Sequence, residues 1–187
     1  MNSTLNKRDG KMDSNLPAWI RGLVVFSGLL VSACAGYSGS GLQPGMSTLP
    51  EVLAAMGEPA LAWKNPDGSK QLAYPRGPAG TQTFMAHVGP DGKLQRIEKV
   101  LDIDHFSRIR AGMSRDEVLR ILGPSGPEWA EVYPRRNELA WSWLFCNSWS
   151  VQEFFDVMFD ATTGIVRSTA QHPHLVGPDG IQPLCGH

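Results

Sequence analysis

Along this chain the spacing of apolar residues changes period several times, and each change falls at a Gly- or Pro-rich turn. Val52, Leu53 and Met56 recur at the i, i+3, i+4 spacing of one helix face, within a segment from Thr48 to Met56. Short runs then read as strands over Ala60 to Lys64, Lys70 to Tyr74, Thr81 to Val88 and Lys93 to Val100. They are divided by Asn65-Pro66-Asp67-Gly68, by the loop Pro75 to Gly80, and by Gly89-Pro90-Asp91-Gly92. The order then starts again. Asp104 is placed to cap a short helix through Arg108 that turns Phe106 and Ile109 inward, and Arg115 to Leu122 follows as a second helix. Gly123 suits the left-handed position after that helix, and Pro124 prevents its continuation. Strands are predicted over Glu128 to Tyr133, Glu138 to Phe145, Val151 to Phe159 and Ile165 to Ala170, with turns at Pro134 to Asn137 and Asp160 to Gly164.

Two stretches in this order are near copies. Gly112-Met113-Ser114 leads into a helix containing Glu117-Val118-Leu119, and Gly45-Met46-Ser47 leads into one containing Glu51-Val52-Leu53. Ser114 with Glu117 fits the capping box, in which a hydroxyl and a carboxylate satisfy orphan backbone N–H groups. In the first copy Thr48 with Glu51 does so, which places the one extra residue before the cap. Glu51 to Gly57 then aligns with Glu117 to Gly123, an offset of 66 residues. An offset this long fits a small domain present twice better than a solenoid repeat. The expected fold class is α+β: two tandem repeats, each with one or two short helices packed on a three- to four-stranded antiparallel sheet.

Period two fixes the faces of the later strands. Leu139, Trp141, Trp143 and Phe145 share one face, matched on the next strand by Val151, Phe155, Val157 and Phe159, and these should meet the helices. The opposite face carries Ala140, Leu144, Phe154 and Met158, which is less polar than a solvated sheet face. It packs against the first repeat or the tail, or it is an exposed patch, with Leu144, Phe154 and Met158 as its partner-contact residues.

Composition adds limits. With 187 residues, the chain can hold two small domains, whose separate cores would be only modestly stable. Seventeen Lys and Arg against 18 Asp and Glu give no electrostatic drive toward nucleic acid. At the N-terminus Lys7, Arg8, Lys11 and Arg21 precede the apolar run from Gly22 to Ala33. A basic region followed by about a dozen apolar residues is the pattern of a secretory signal, and the run is too short to span a bilayer comfortably. The basic region is long, and Met12 is an alternative start. Val31-Ser32-Ala33-Cys34 resembles a bacterial lipobox, which implies acylation of Cys34 and firm anchoring by its acyl chains. By the same resemblance, Ala35 after the Cys implies sorting to the outer membrane, with the domain facing the periplasm. If Cys34 carries lipid, Cys146 and Cys185 remain as an even pair in an oxidising compartment. A disulfide between them would tie the tail to a strand; the alternative is two separate thiols. The expected divisions are a signal peptide with lipobox over 1–34, a flexible tether over 35–41, repeats over 42–103 and 104–171, and a C-terminal tail over 172–187.

Candidate chemistry is sparse. His87 sits in a strand with no second ligand at useful spacing and reads as a surface or edge histidine. Arg76 lies in a Pro/Gly loop and reads as solvated. His172-Pro173-His174 lacks a third donor, so neither a metal nor a cofactor is expected. No nucleophile elbow, zinc-protease, phosphate-loop or dinucleotide motif occurs, and Cys146 has no neighbouring base in the sequence. The chain therefore reads as non-enzymatic.

Ile109-Arg110-Ala111-Gly112-Met113-Ser114, followed by Val118, Leu122 and Gly123, resembles the signature of the SmpA/OmlA (BamE-like) family. That resemblance implies a small outer-membrane lipoprotein with helices packed on an antiparallel sheet, in the accessory shell of the machinery that inserts β-barrels. The tandem arrangement departs from the family's single domain and is similar to the architecture of β-lactamase inhibitor protein. The expected function is a non-catalytic outer-membrane lipoprotein that supports envelope and barrel assembly through protein contacts. A periplasmic binding or inhibitory module that grips an enzyme with its apolar sheet face is the alternative, and an envelope hydrolase the third reading.

Overall fold

The computed structural model describes residues 38–76 and 80–185; Cys34 and the leader lie outside them. Helix α1 (Leu49–Met56) precedes the antiparallel sheet β1 (Leu61–Lys64), β2 (Lys70–Pro75), β3 (Thr83–Val88) and β4 (Leu94–Lys99), in that spatial order. Helices α2 (Ile103–Phe106) and α3 (Arg115–Leu122) lead into a second antiparallel sheet, β5 (Ala130–Tyr133), β6 (Glu138–Cys146), β7 (Gln152–Asp160) and β8 (Val166–Pro173), again in chain order. The architecture is α+β with two four-stranded sheets and few helices.

The two helix starts are built alike. The Glu117 carboxylate accepts from the Ser114 backbone N–H at 2.7 Å and its hydroxyl at 2.8 Å, and the Glu51 carboxylate accepts from the same groups of Thr48 at 2.7 and 2.9 Å. These bonds, the backbone one foremost, hold both carboxyls below the usual carboxylate range. Gly45 and Gly112 each donate a backbone hydrogen bond to the first residue of the last strand in their own sheet, Leu94 and Val166, at 2.7 and 2.9 Å. Those residues donate back to Ser47 and Met113. The strand before each carries a register shift at a matching place, His87/Val88 and Met158/Phe159. Ser114→Ala is expected to cost about 1 kcal/mol, the ordinary worth of an N-cap, read as a lower urea midpoint at unchanged slope.

Alternation along the first sheet sends its two faces to different partners. Leu72, Tyr74, Phe84 and Ala86 meet Val52 and Met56 of α1 in one cluster. Ala73 and Met85 point the other way, into a second cluster with Val118 and Leu122 of α3 and with Trp143, Phe155 and Phe159 of the second sheet. Helix α3 therefore lies between the sheets, and the described residues from 38 onward pack as one compact unit. Polar contacts reinforce the join. Trp63 Nε1 donates to Asp116 at 2.9 Å, Arg120 donates to Asn65 at 3.1 Å, and Trp143 Nε1 donates to the Gly123 carbonyl at 3.2 Å. Gly123, at φ +72°, is required at this joint, since a Cβ there would come within 2.7 Å of Thr83 Cγ2.

Three local expectations are corrected. The cap of α2 is Asp102, not Asp104: its carboxylate accepts from the His105 backbone N–H at 2.9 Å and meets His105 Nδ1 at 2.7 Å. Those bonds outweigh burial, which alone would raise it, and keep the Asp102 carboxyl below its usual range. Residues 127–129 form a 3-10 turn rather than the start of β5, because Pro127 favours a helical first turn and Trp129 packs edge-on to Phe154 at 5.1 Å. Part of the expected tether is packed: Gly39 is buried, in a space where a Cβ would clash with Ile97.

Candidate interaction surfaces

The residues singled out in the sequence fall in different places. Leu144, expected on a partner-contact face, is only 3% exposed, because the 124–129 segment folds over it. Phe154 and Met158 are half-buried on that outer face. Cys146 and Cys185 are bonded as a disulfide. His172 pairs with Asp156 at 3.1 Å, and His174 meets Gln152 Oε1 at 3.0 Å, so the two imidazoles have separate protein partners.

His87 lies on β3 with Nε2 2.8 Å from Glu98. Burial and the nearby Arg96 charge lower its pKa, and Glu98 only partly offsets them. The unfolded chain therefore takes up this proton first as pH falls. Stability should decline on acidification from about pH 7 to 5.5, around the ordinary histidine pKa, and His87→Gln should flatten that decline in urea titrations.

The residues expected as a tail, 172–185, are structured. Strand β8 runs on to Pro173, a turn closes with Val176 opposite Ile181, and Leu184 bridges to Val151. Gln152 holds the returning chain: its backbone N–H donates to the Pro183 carbonyl at 2.9 Å, and its carbonyl accepts from Gln182 Nε2 at 2.8 Å. Cys185 N–H donates to Ser150 at 2.8 Å beside the disulfide. This fastening presents apolar side chains outward. Trp149 is 83% exposed, Leu184 72%, Ile181 63% and Leu175 58%. The Trp149 turn is itself fixed, since Asn147 Oδ1 accepts from the Trp149 N–H at 2.9 Å. Between His174 and Cys185 the only acidic or basic side chain of fixed charge is Asp179. The result is a stapled apolar tip.

A second surface lies on the outer face of the second sheet. It is a groove of about 440 Å³, walled by Trp129, Tyr133 and Phe154 and floored by Ala140 and Ser142. Glu131, Asp156 and His172 of the strands line it, with Glu128 from the preceding turn. Period two explains the composition, because Glu131 sits opposite Ala140 and Ser142 opposite Asp156 on one face. Sequence reading placed Phe154 and Ala140 on this face but missed Trp129, Glu131, Tyr133 and Asp156. The signal available for Trp129 was a large aromatic two residues after a proline, which reads equally well as a strand start.

These features define a two-sheet α+β protein carrying an aromatic, acidic groove and a disulfide-fastened apolar tip. Among the described residues no helix is long and apolar enough to cross a membrane. No protein-family model and no curated protein matches the chain. Among solved structures it is similar to an extracellular protein containing a SCP domain from Bacillus anthracis str. Ames. The identity is 12% and the TM-score 0.24, over 95% of this chain and 57% of that one. At that TM-score the likeness bears on neither fold nor function.

Proposed function

We propose that the chain is a non-catalytic outer-membrane lipoprotein, acylated at Cys34, that supports envelope and β-barrel assembly through protein contacts. In this reading its two halves are tandem domains of the SmpA/OmlA (BamE-like) kind. The matched surroundings of the two Gly-Met-Ser segments, each paired to the last strand of its own sheet, support the tandem relation. The observation that carries the functional reading is the stapled tip. Exposing Trp149, Leu184 and Ile181 together opposes the hydrophobic effect, and fastening them by a disulfide suits a surface kept for a partner. A protein held at the membrane by acyl chains meets its partners within a thin layer, where such a surface can act without high affinity.

Affinity purification of the tagged full chain from membranes tests this. Recovery of barrel-assembly subunits is expected, with their loss in a Trp149→Asp, Leu184→Asp double variant. Cys34→Ser should move the chain out of the membrane fraction. Recovery of no assembly subunit, together with unchanged barrel levels in a deletion strain, would remove the assembly role. Recovery of one soluble periplasmic enzyme instead would replace it with the inhibitory module.

A further inference from the structure

We infer that the groove on the outer face of the second sheet is a seat for an arginine side chain carried by an extended segment of a partner protein. The inference is independent of the apolar tip. Its basis is charge that the fold leaves unmatched. Four carboxylates stand on this face of the strands: Glu131, Glu138, Asp156 and Asp160. Two already have a permanent cation, since Glu138 pairs with Arg136 at 2.9 Å and Asp160 with Arg167 at 2.5 Å. The other two line the groove. Glu131 accepts from the Tyr133 hydroxyl at 2.5 Å, and Asp156 Oδ2 meets His172 Nε2 at 3.1 Å. Asp156 Oδ1 is buried and has no hydrogen-bond partner among the described residues. A buried carboxylate oxygen without a donor leaves the Asp156 charge poorly stabilised, and a permanent cation brought beside that carboxylate offsets the cost.

Shape and aromatic lining select the cation. Ala140 and Ser142 are small, so the hollow beside the packed Trp129–Phe154 pair has depth for one long side chain. A guanidinium can stack on an aromatic wall while donating two parallel hydrogen bonds to a carboxylate, whereas an ammonium is a point charge without a stacking face. The molecule already uses this pairing at the groove's edge, where the Arg136 guanidinium lies 4.4 Å from the Tyr133 ring centroid. The extended form follows from the neighbouring strand. β5 ends the sheet and pairs with β6 on one side only, and on its other face Val132 is 59% exposed. A strand laid along that edge would turn alternate side chains toward the groove.

The test uses the full chain in mild detergent with two hexapeptides of alternating Thr and Val. One carries Arg at its fourth position, and the other carries citrulline, its neutral isostere. The Arg peptide should bind saturably and shift the Trp129 indole N–H resonance, and the citrulline peptide should bind roughly tenfold more weakly. Asp156→Asn should weaken the Arg peptide by a similar factor and leave the citrulline peptide unchanged. Should Asp156→Asn fold poorly, Ser142→Met fills the floor while keeping the carboxylate, and it too should abolish the preference. Equal binding of the two peptides, no saturable binding, or shifts at Trp149 in place of Trp129 would each overturn the assignment.

Discussion

Replacing Trp143 with Ala is expected to lower the free energy of unfolding by about 3–5 kcal/mol, the usual range for deleting a fully buried aromatic side chain. Trp143 is 2% exposed and stands where helix α3 and the two sheets meet, in one cluster with Ala73 and Met85 of the first sheet and Val118 and Leu122 of α3. Its indole N–H also satisfies the Gly123 carbonyl. Trp143→Phe keeps most of the apolar area but leaves that carbonyl without its donor, at an expected loss of about 1–3 kcal/mol. Because the cluster belongs to both halves, the loss should appear in one cooperative transition, with fluorescence and far-ultraviolet circular dichroism coinciding. Two separate transitions, with only the later one moved by Trp143→Ala, would mean that the halves are independent.

Removing the Cys146–Cys185 bridge is the second large effect. The cysteines are 39 residues apart, and closing a loop of that length in the unfolded chain corresponds to about 4 kcal/mol in the chain-entropy description. The Cys146→Ser, Cys185→Ser variant should therefore lose stability on that order. The loss should also have a place. The returning segment is held otherwise by a few backbone hydrogen bonds to Ser150 and Gln152, so limited proteolysis should cut first between Leu175 and Leu184. A variant with the same urea midpoint and an equally protected tail would show the bridge to be dispensable.

Local rules made most of the elements legible in the sequence. The capping pairs and Gly123 fixed α1 and α3 nearly to the residue, because caps act within one helical turn. Alternation named the buried face of β6 and β7 correctly, with Trp143, Phe145, Phe155, Val157 and Phe159 all in the core. What escaped depends on contacts distant along the chain. The Asp102 cap is the exception, since its carboxylate acts within one turn, on the His105 N–H and ring three residues on. The closure of the 124–129 segment over Leu144 rests on Trp129 finding Phe154. The tail's order depends on Gln152 and on the disulfide, whose two sulfurs no spacing could bring together. The groove was half legible: its floor and Phe154 follow from period two, while its carboxylates are ordinary strand residues until their pairing with Arg136 and Arg167 singles out the two left over.

The most direct measurement is site-specific photocrosslinking in intact cells from a light-activated residue at position 149, with the same residue at exposed position 93 as control. A function exercised by contact through the apolar tip predicts a discrete adduct with an outer-membrane or periplasmic assembly protein from position 149, absent from position 93 and lost when Leu184 is made Asp. No adduct from position 149, or identical adducts from both positions, would contradict it.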